Sequence, residues 1–530
     1  MKNIRLIMFA AVALALTAGA NAQTAFDASR LMGSDLNGTA RFVGMGGAMG
    51  ALGGDISTIG TNPAGIGIYR SNDVMLSFGL NSTTADSEFA GNSMSSSKVR
   101  PSFDNAGFVY SSKIGNSTPL RYVNFGFNYR KLKNFNKVMT MGGDLNSLSQ
   151  TDQMAGQAQG LDPDELDAKN KYANTNPWNV NGIGWLSLMG WNGRVMSYNE
   201  ADKQYHGFGS ATSYPYGDFS SEEKGSIQAY DFNVAFNFSD RVYLGFTIGA
   251  YNVDYSRTTY YREGFDYEEG YGDHSFYTLD NWFKTTGAGV DFKVGLIVRP
   301  IETSPLRIGV AVHSPTFYNL RNVSSALLMS DVVIDGNLEQ YDVDTQKAAG
   351  DAITDFRLVT PWKYNFSLGY TFGSYLALGA EYEYQNYSTA KLKQDIDGYV
   401  EDMTEENNGI KEVLKGVNTF RIGAEIKPIP QFAVRFGYNH SSAAIDQGAM
   451  KYIPSSGPNS IRTDTEYSTT KAINNYTVGM GYRGSMFYAD IAYQYSAYKE
   501  NFYPFFSEDL AATKVNNNRS QVLLTLGVRF

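Results

Sequence analysis

The chain has 530 residues, no cysteine, a formal net charge of −9 and a mean hydropathy of −0.31. The missing cysteines exclude disulfides, thiolate metal sites and cysteine nucleophiles together, and the acidic balance speaks against a nucleic-acid partner. No apolar run of about 18 residues follows Ala22, which excludes transmembrane helices, yet 37 Tyr, 32 Phe and 54 Gly suit an exported β-barrel.

The chain opens on a basic pair, Lys2 and Arg5, an apolar run from Leu6 to Ala18, and the small-residue site Ala20-Asn21-Ala22. Residues 1–22 are therefore predicted to be a cleavable signal peptide. Arg41–Tyr69 follows as RFVGMGGAMGALGGDISTIGTNPAGIGIY. Its glycines do not make a dinucleotide loop, because Met49 stands where the third glycine belongs and no strand-helix alternation follows. Phe42, Val43, Met45, Met49, Leu52, Ile56 and Ile59 give it too much apolar surface for a disordered leader. Residues 23–70 are predicted to plug a barrel formed by 71–530. Gly46, Gly47 and Gly65 would allow tight turns, and Pro63 would hold Asn62 extended beside Ala64.

From there, alternation with period two dominates. Val290, Phe292, Val294, Leu296 and Val298 oppose Asp291, Lys293 and Gly295, and Phe420, Ile422, Ala424 and Ile426 oppose Arg421, Gly423 and Glu425. About fourteen strands are predicted, near 73–81, 103–112, 119–131, 226–238, 241–255, 286–298, 306–318, 361–372, 375–389, 417–426, 431–443, 472–483, 486–498 and 520–530. Short turns such as Ser239-Asp240, Gly373-Ser374 and Gly484-Ser485 alternate with long loops at 132–225, 256–285, 319–360, 390–416, 444–471 and 499–519. Even strand number, short turns on one side and long loops on the other describe an all-β, antiparallel transmembrane barrel. Tyr251, Tyr255, Tyr493, Tyr495 and Tyr498 are expected in an aromatic girdle, and Phe530 as the outward terminal residue read by the outer-membrane assembly machinery. A bore of fourteen strands is too wide for its own side chains to fill, hence the need for a plug.

Other chemistry is weakly represented. Asp162–Asp167 (DPDELD) lacks calcium-loop spacing and reads as a short helix capped by Asp162. Asp397–Lys415 reads as a polar, partly helical loop. His206, His274, His313 and His440 have no metal spacing, and no nucleophile elbow is present. No catalytic residues, metal or cofactor are assigned. The inward cations Arg130, Lys293, Lys363, Arg421 and Arg435 alternate with Asp291, Glu381, Glu383 and Glu425. They read as a lumen salt-bridge network, in which Lys293, Arg421 and Arg435 are the candidates to hold a ligand headgroup. Trp178, Trp185, Trp191 and Phe208 are candidates to line an extracellular apolar capture groove.

Ile59-Gly60-Thr61-Asn62-Pro63-Ala64 after a glycine-rich approach, Thr360–Asn365 (TPWKYN), Thr419–Lys427 and terminal Phe530 resemble the FadL-type outer-membrane transporters of long-chain fatty acids and other hydrophobic compounds. The likeness spans essentially the whole chain beyond the leader. It implies a monomeric barrel in outer-membrane lipid, closed by an N-terminal hatch. Loops would capture a hydrophobic small molecule such as a fatty acid and pass it to a pocket beside the hatch. Rearrangement of the hatch, onto which Asn62, Pro63 and Ala64 carry over, would then open a lateral gap in the wall without an energy source. Gly46, Gly47 and Gly65 are the neighbouring glycines expected to gate with them. Rival readings are a structural or adhesive surface barrel, a general porin, or a receptor for haem or an aromatic hydrocarbon.

Overall fold

Alternation sets the wall. In the computed structural model, which describes residues 22–167, 176–207, 215–266, 274–334, 337–396, 398–457 and 459–530, fourteen antiparallel staves close on themselves. They are β1 (Asp73–Phe89), β2 (Asn92–Lys113), β3 (Leu120–Asn134), β4 (Tyr216–Phe238), β5 (Val242–Asp266) and β6 (His274–Val298). Next come β7 (Arg307–His313, resumed at Phe317–Ile334), β8 (Ala352–Val359, resumed at Lys363–Phe372) and β9 (Leu376–Asn386, resumed at Lys391–Ile396). The circuit ends with β10 (Gly416–Ile429), β11 (Phe432–Ser441), β12 (Tyr467–Arg483), β13 (Phe487–Tyr503) and β14 (Thr513–Arg529). Each stave pairs with its sequence neighbour, and β14 closes on β1 in register from Asp73↔Arg529 to Glu88↔Lys514.

The two faces carry different chemistry. On β1, Val74, Leu76, Phe78 and Leu80 are about half exposed, while Asp73, Met75 and Ser77 are buried inside. On β6, Val290, Phe292, Val294 and Leu296 point out, and Asp291, Lys293 and Ile297 point in. Water would not tolerate so continuous an apolar belt, and lipid requires it. Every backbone amide of a closed wall is paired within the wall, the condition for crossing a bilayer. The chain is an outer-membrane barrel.

Several staves run far beyond the belt. Residues 216–225, 256–266 and 274–285, predicted as loop, are strand, as are 92–102 and 513–519. Outside the bilayer no lipid face imposes hydrophobic alternation, so Ser- and Asn-rich strands such as NSMSSSKV show none. The predicted girdle also needs correction. Tyr251 and Tyr255 face inward and are buried, whereas Trp362, Tyr364 and Tyr493 lie exposed on the outer face.

Above the belt, the wall is uneven. β7, β8 and β9 are interrupted side by side, at 314–316, 360–362 and 387–390. Past Asn386, β9 leaves β10 and pairs instead with the short strand Tyr399–Asp402. The opening is closed by a helix, Thr404–Val413, whose Asn407, Ile410 and Val413 face inward. Asn407 fixes it, its Oδ1 accepting from Leu392 N (2.7 Å) and its Nδ2 donating to Leu392 O (3.0 Å).

Candidate functional site

The N-terminal segment lies within the barrel. Helix α1 (Ala22–Met32) sits high in the lumen, its Ala25, Phe26, Ala28, Leu31 and Met32 buried among Tyr255, Phe283, Tyr387, Ile410 and Tyr467. The chain then descends through α2 (Ala40–Gly44) to Tyr69 beside the periplasmic turns. Irregular backbone buried in a lumen must find hydrogen-bond partners, and the wall supplies them. Ala40 N donates to Thr525 Oγ1 (2.7 Å), Thr477 Oγ1 to Gly44 O (3.2 Å), Asn124 Nδ2 to Ile66 O (2.7 Å) and Arg307 Nη1 to Leu52 O (2.6 Å).

The predicted hatch residues sit where plug and wall come closest. Gly46 has φ +63°, and a Cβ there would lie 2.8 Å from Tyr438 N and 3.0 Å from Ile422 O. Asn62 caps the turn Pro63–Ile68, its Oδ1 accepting from Ala64 N (3.1 Å) and its Nδ2 donating to Leu296 O (3.2 Å). Asn233 Nδ2 donates to Pro63 O (3.3 Å). Where the turn lies closest, the wall carries glycine: a methyl at Gly245 or Gly295 would overlap Pro63 or Asn62. The Asn-Pro-Ala turn rests in a glycine-floored seat.

The three cations singled out for a headgroup are already engaged. Lys293 Nζ meets Asp231 at 2.6 Å and Asp291 at 3.1 Å. Arg421 meets Glu381 at 2.6 Å and Glu383 at 3.2 Å, and Arg435 meets Glu425 at 2.7 Å and Asp490 at 2.6 Å. Buried ions are kept by such compensation, which leaves no spare charge for a ligand. The carboxylates reach the plug instead: Glu381 accepts from Gly50 N (3.0 Å) and Glu425 from Arg41 Nε (2.9 Å).

Arg130 is different. It is 6% exposed, its Nε has no partner, and among the described residues no carboxylate or hydrogen bond holds its guanidinium, which lies against plug residue Gly60. It opens into a cavity of 380 Å³ between plug and extracellular cap. The lower lining is polar, with Arg130, Thr419, Asn475, Gln494 and Asn517 beside plug residues Phe42, Gly60 and Thr61. Higher up, Phe26, Leu132, Phe135, Met139, Ile445 and Tyr467 join the lining, interleaved with charged groups such as Arg30, Lys137, Glu223 and Glu500. The sequence named Arg130 among the inward cations and gave no sign of its solitude, because cross-strand partners depend on register.

The tryptophans do not form an open groove. Trp178 and Trp185 are each 5% exposed and pack edge to face, with centroids 5.6 Å apart, inside the core of the cap. Trp185 Nε1 donates to Trp178 O (2.9 Å). Trp191 is half-buried against Tyr205, with Arg194 above its ring, and Phe208 lies outside the described residues. A loop long enough to hold α3 (Gln150–Ala158), α4 (Pro163–Leu166) and α5 (Trp185–Asn192) builds its own core, and large aromatics are what fill it.

No family model and no curated sequence matches the chain. Among solved structures, a FadL homologue of Pseudomonas aeruginosa superposes with a TM-score of 0.50 at 14% identity, covering 94% of this chain and 99% of that one. The fold is that of a FadL-type barrel. The toluene transporter TodX of P. putida aligns at 11% identity over 94% and 99% of the two chains, with a TM-score of 0.47. The toluene transporter TbuX of Ralstonia pickettii gives 13%, the same coverages and 0.44.

A charged clamp ties the plug of this FadL-type barrel to its cap, and the sequence did not reveal it. Arg462 meets Asp27 of α1 at 2.9 Å and Asp464 at 2.7 Å, and Arg257 and Lys451 reach Asp464 at 2.6 and 3.0 Å. Burial pushes the Asp27 carboxyl up, and Arg462 and Arg30 more than reverse it, holding it below the usual range.

Proposed function

We propose that this barrel takes up hydrophobic small molecules across the outer membrane, and that its cargo is an amphiphile with an anionic head of the long-chain fatty acid kind. The observation that carries the reading is the lumen cavity: it holds a set of apolar side chains above and a polar floor below, with a buried guanidinium that no carboxylate among the described residues meets. A carboxylate on Arg130 would complete a charge-assisted pair in a desolvated site, while the acyl chain would lie along Phe135, Ile445 and Tyr467. A neutral hydrocarbon would fill the upper part and leave Arg130 unpaired. The FadL-type fold agrees with this reading.

The route is argued from the same geometry. The opening beside β9 starts at the outer edge of the belt, next to exposed Trp362, and the helix Thr404–Val413 closes it against α1. Cargo in the outer leaflet would reach the cavity by displacing that helix rather than by crossing the aromatic core of the cap. At the floor, the bound head touches Gly60 and Thr61, adjoining Asn62, Pro63, Ala64 and Gly65. Ligand binding would thereby favour a plug conformation in which this turn leaves its glycine seat, with Gly46 and Gly47 as pivots, by population shift. The barrel would act singly, with no cofactor.

Equilibrium binding of a labelled long-chain fatty acid to the purified protein tests the reading. Arg130→Gln should weaken it roughly 10- to 100-fold, the worth of a hydrogen bond to a charged group, and leave binding of the matching fatty alcohol unchanged. Equal affinity of the variant for acid and alcohol relative to the parent would refute the assignment.

A further inference from the structure

The periplasmic mouth holds a second uncompensated group of arginines. β5 and β6 pair as Val242↔Val298, and β6 and β7 as Val298↔Ile308. The next step of each register sets Arg241 opposite Arg299, where Arg299 N donates to Arg241 O at 2.7 Å, and Arg299 opposite Arg307. All three side chains leave the lumen face, because Tyr243, Ile297 and Gly309, two residues along each strand, touch the plug. Like charges directly opposite on neighbouring strands repel, and here they form a row across three staves.

Carboxylates do not relieve it. Asp240 takes Arg70, and Glu302 reaches only the exposed Arg241, at 3.7 Å. Among the described residues, Arg299 and Arg307 meet backbone carbonyls alone, at Asp240 O (3.5 Å) and Leu52 O (2.6 Å), and the Nε of each is buried without a partner. Four guanidiniums thus face two carboxylates on a chain whose net charge is −9. Fastening the plug explains one bond of Arg307 and does not explain the row.

Building on the proposed function, we infer that Arg299 and Arg307, flanked by Arg241 and Arg70, form an oxyanion site at the periplasmic mouth that receives the carboxylate or phosphate head of an amphiphile leaving the plug. Directly opposite cross-strand residues have Cβ atoms about 5 Å apart, so two such guanidiniums can converge on the oxygens of one head. Because Arg307 also holds Leu52 O, an anion there competes with a plug contact and couples departure of cargo to release of the segment around Leu52. Inorganic phosphate from the periplasm shares the chemistry and would enter from below.

Native mass spectrometry of the full barrel with dodecyl phosphate tests this. The parent should retain two equivalents, and the double variant R299Q/R307Q one, with the folded, heat-modifiable band unchanged on gels. Excess inorganic phosphate should compete away one equivalent in the parent, the solvent-facing one, and none in the double variant. Arg299→Lys should keep two equivalents with the mouth site at least tenfold weaker, since it preserves charge and loses the fork. Two equivalents retained by the double variant, with phosphate competition intact, would overturn the inference. If Arg130→Gln fails to lower stoichiometry while R299Q/R307Q does, the lumen reading falls and the mouth site stands.

Discussion

At the scale of single residues, the molecule is decided by which charges are answered. Lys293, Arg421 and Arg435 are each bracketed by two carboxylates, and Arg130 by none among the described residues. Small residues matter for the opposite reason, by leaving room. Gly295→Ala would place a methyl into Asn62 and Pro63; overpacking of that kind costs about 1–3 kcal/mol. The expected result is a plug that unseats more often, read as brief current bursts in planar bilayers where the parent is silent. Acid should act on the clamp at α1. The folded-state pKa of Asp27 is depressed, so its stabilising contribution is present above the unfolded value near 3.8 and is lost as pH falls through the lower folded value. Protection factors of the amides in residues 25–32, which remove the intrinsic pH dependence of exchange, should be constant from pH 8 to 5 and fall only below about pH 4. A fall already at pH 6 would assign the contact to other groups.

At the scale of elements, lipid makes a strand legible and its absence hides one. The belt portions of β1, β5 and β6 announce themselves because every second side chain must be apolar. The same strands continue outside the bilayer as polar sequence without a periodic face, and there the reading stopped short. Charge partners were hidden too: the lone Arg130 and the row Arg241, Arg299, Arg307 emerge only when register is known. Trp178 and Trp185 looked available because loop aromatics carry no mark of whether the loop has a core of its own. The helix α1 was within reach, since Ala25, Ala28, Leu31 and Met32 recur at helical spacing. The helix Thr404–Val413 is attached to β9 by the Asn407 side chain and by its N-cap, Met403 N donating to Leu392 O (3.0 Å). Asn407→Ala removes the partner of Leu392 N and one of the two bonds to Leu392 O, a cost of about 1–3 kcal/mol. Exchange in residues 404–413 should rise, with the barrel strands unaffected and fatty-acid binding faster in both directions. Unchanged exchange there would show that the N-cap bond and packing on α1 hold the helix without Asn407.

At the scale of the whole molecule, the proposed function joins the parts into one path: a helix-closed window at the belt edge, a lumen cavity, a plug seated on glycines, and an arginine row below it. The wall is a closed ladder, while the plug is joined to it by hydrogen bonds that individually contribute only about 1 kcal/mol and by a few ion pairs, Arg41–Glu425 and Asp27–Arg462 among them. In the proposed function, a ligand would move the plug by exchanging such contacts without opening the barrel. The central claim is that cargo occupies the lumen cavity with its head on Arg130. Its most direct test is a long-chain fatty acid carrying a photoreactive group at the chain end, cross-linked to the purified protein and mapped by peptide mass spectrometry. Adducts on the segments around Leu132–Met139, Ile445 and Tyr467, lost in Arg130→Gln, are the predicted result. Adducts confined to belt residues such as Phe292 and Phe366, the same in parent and variant, would contradict the account.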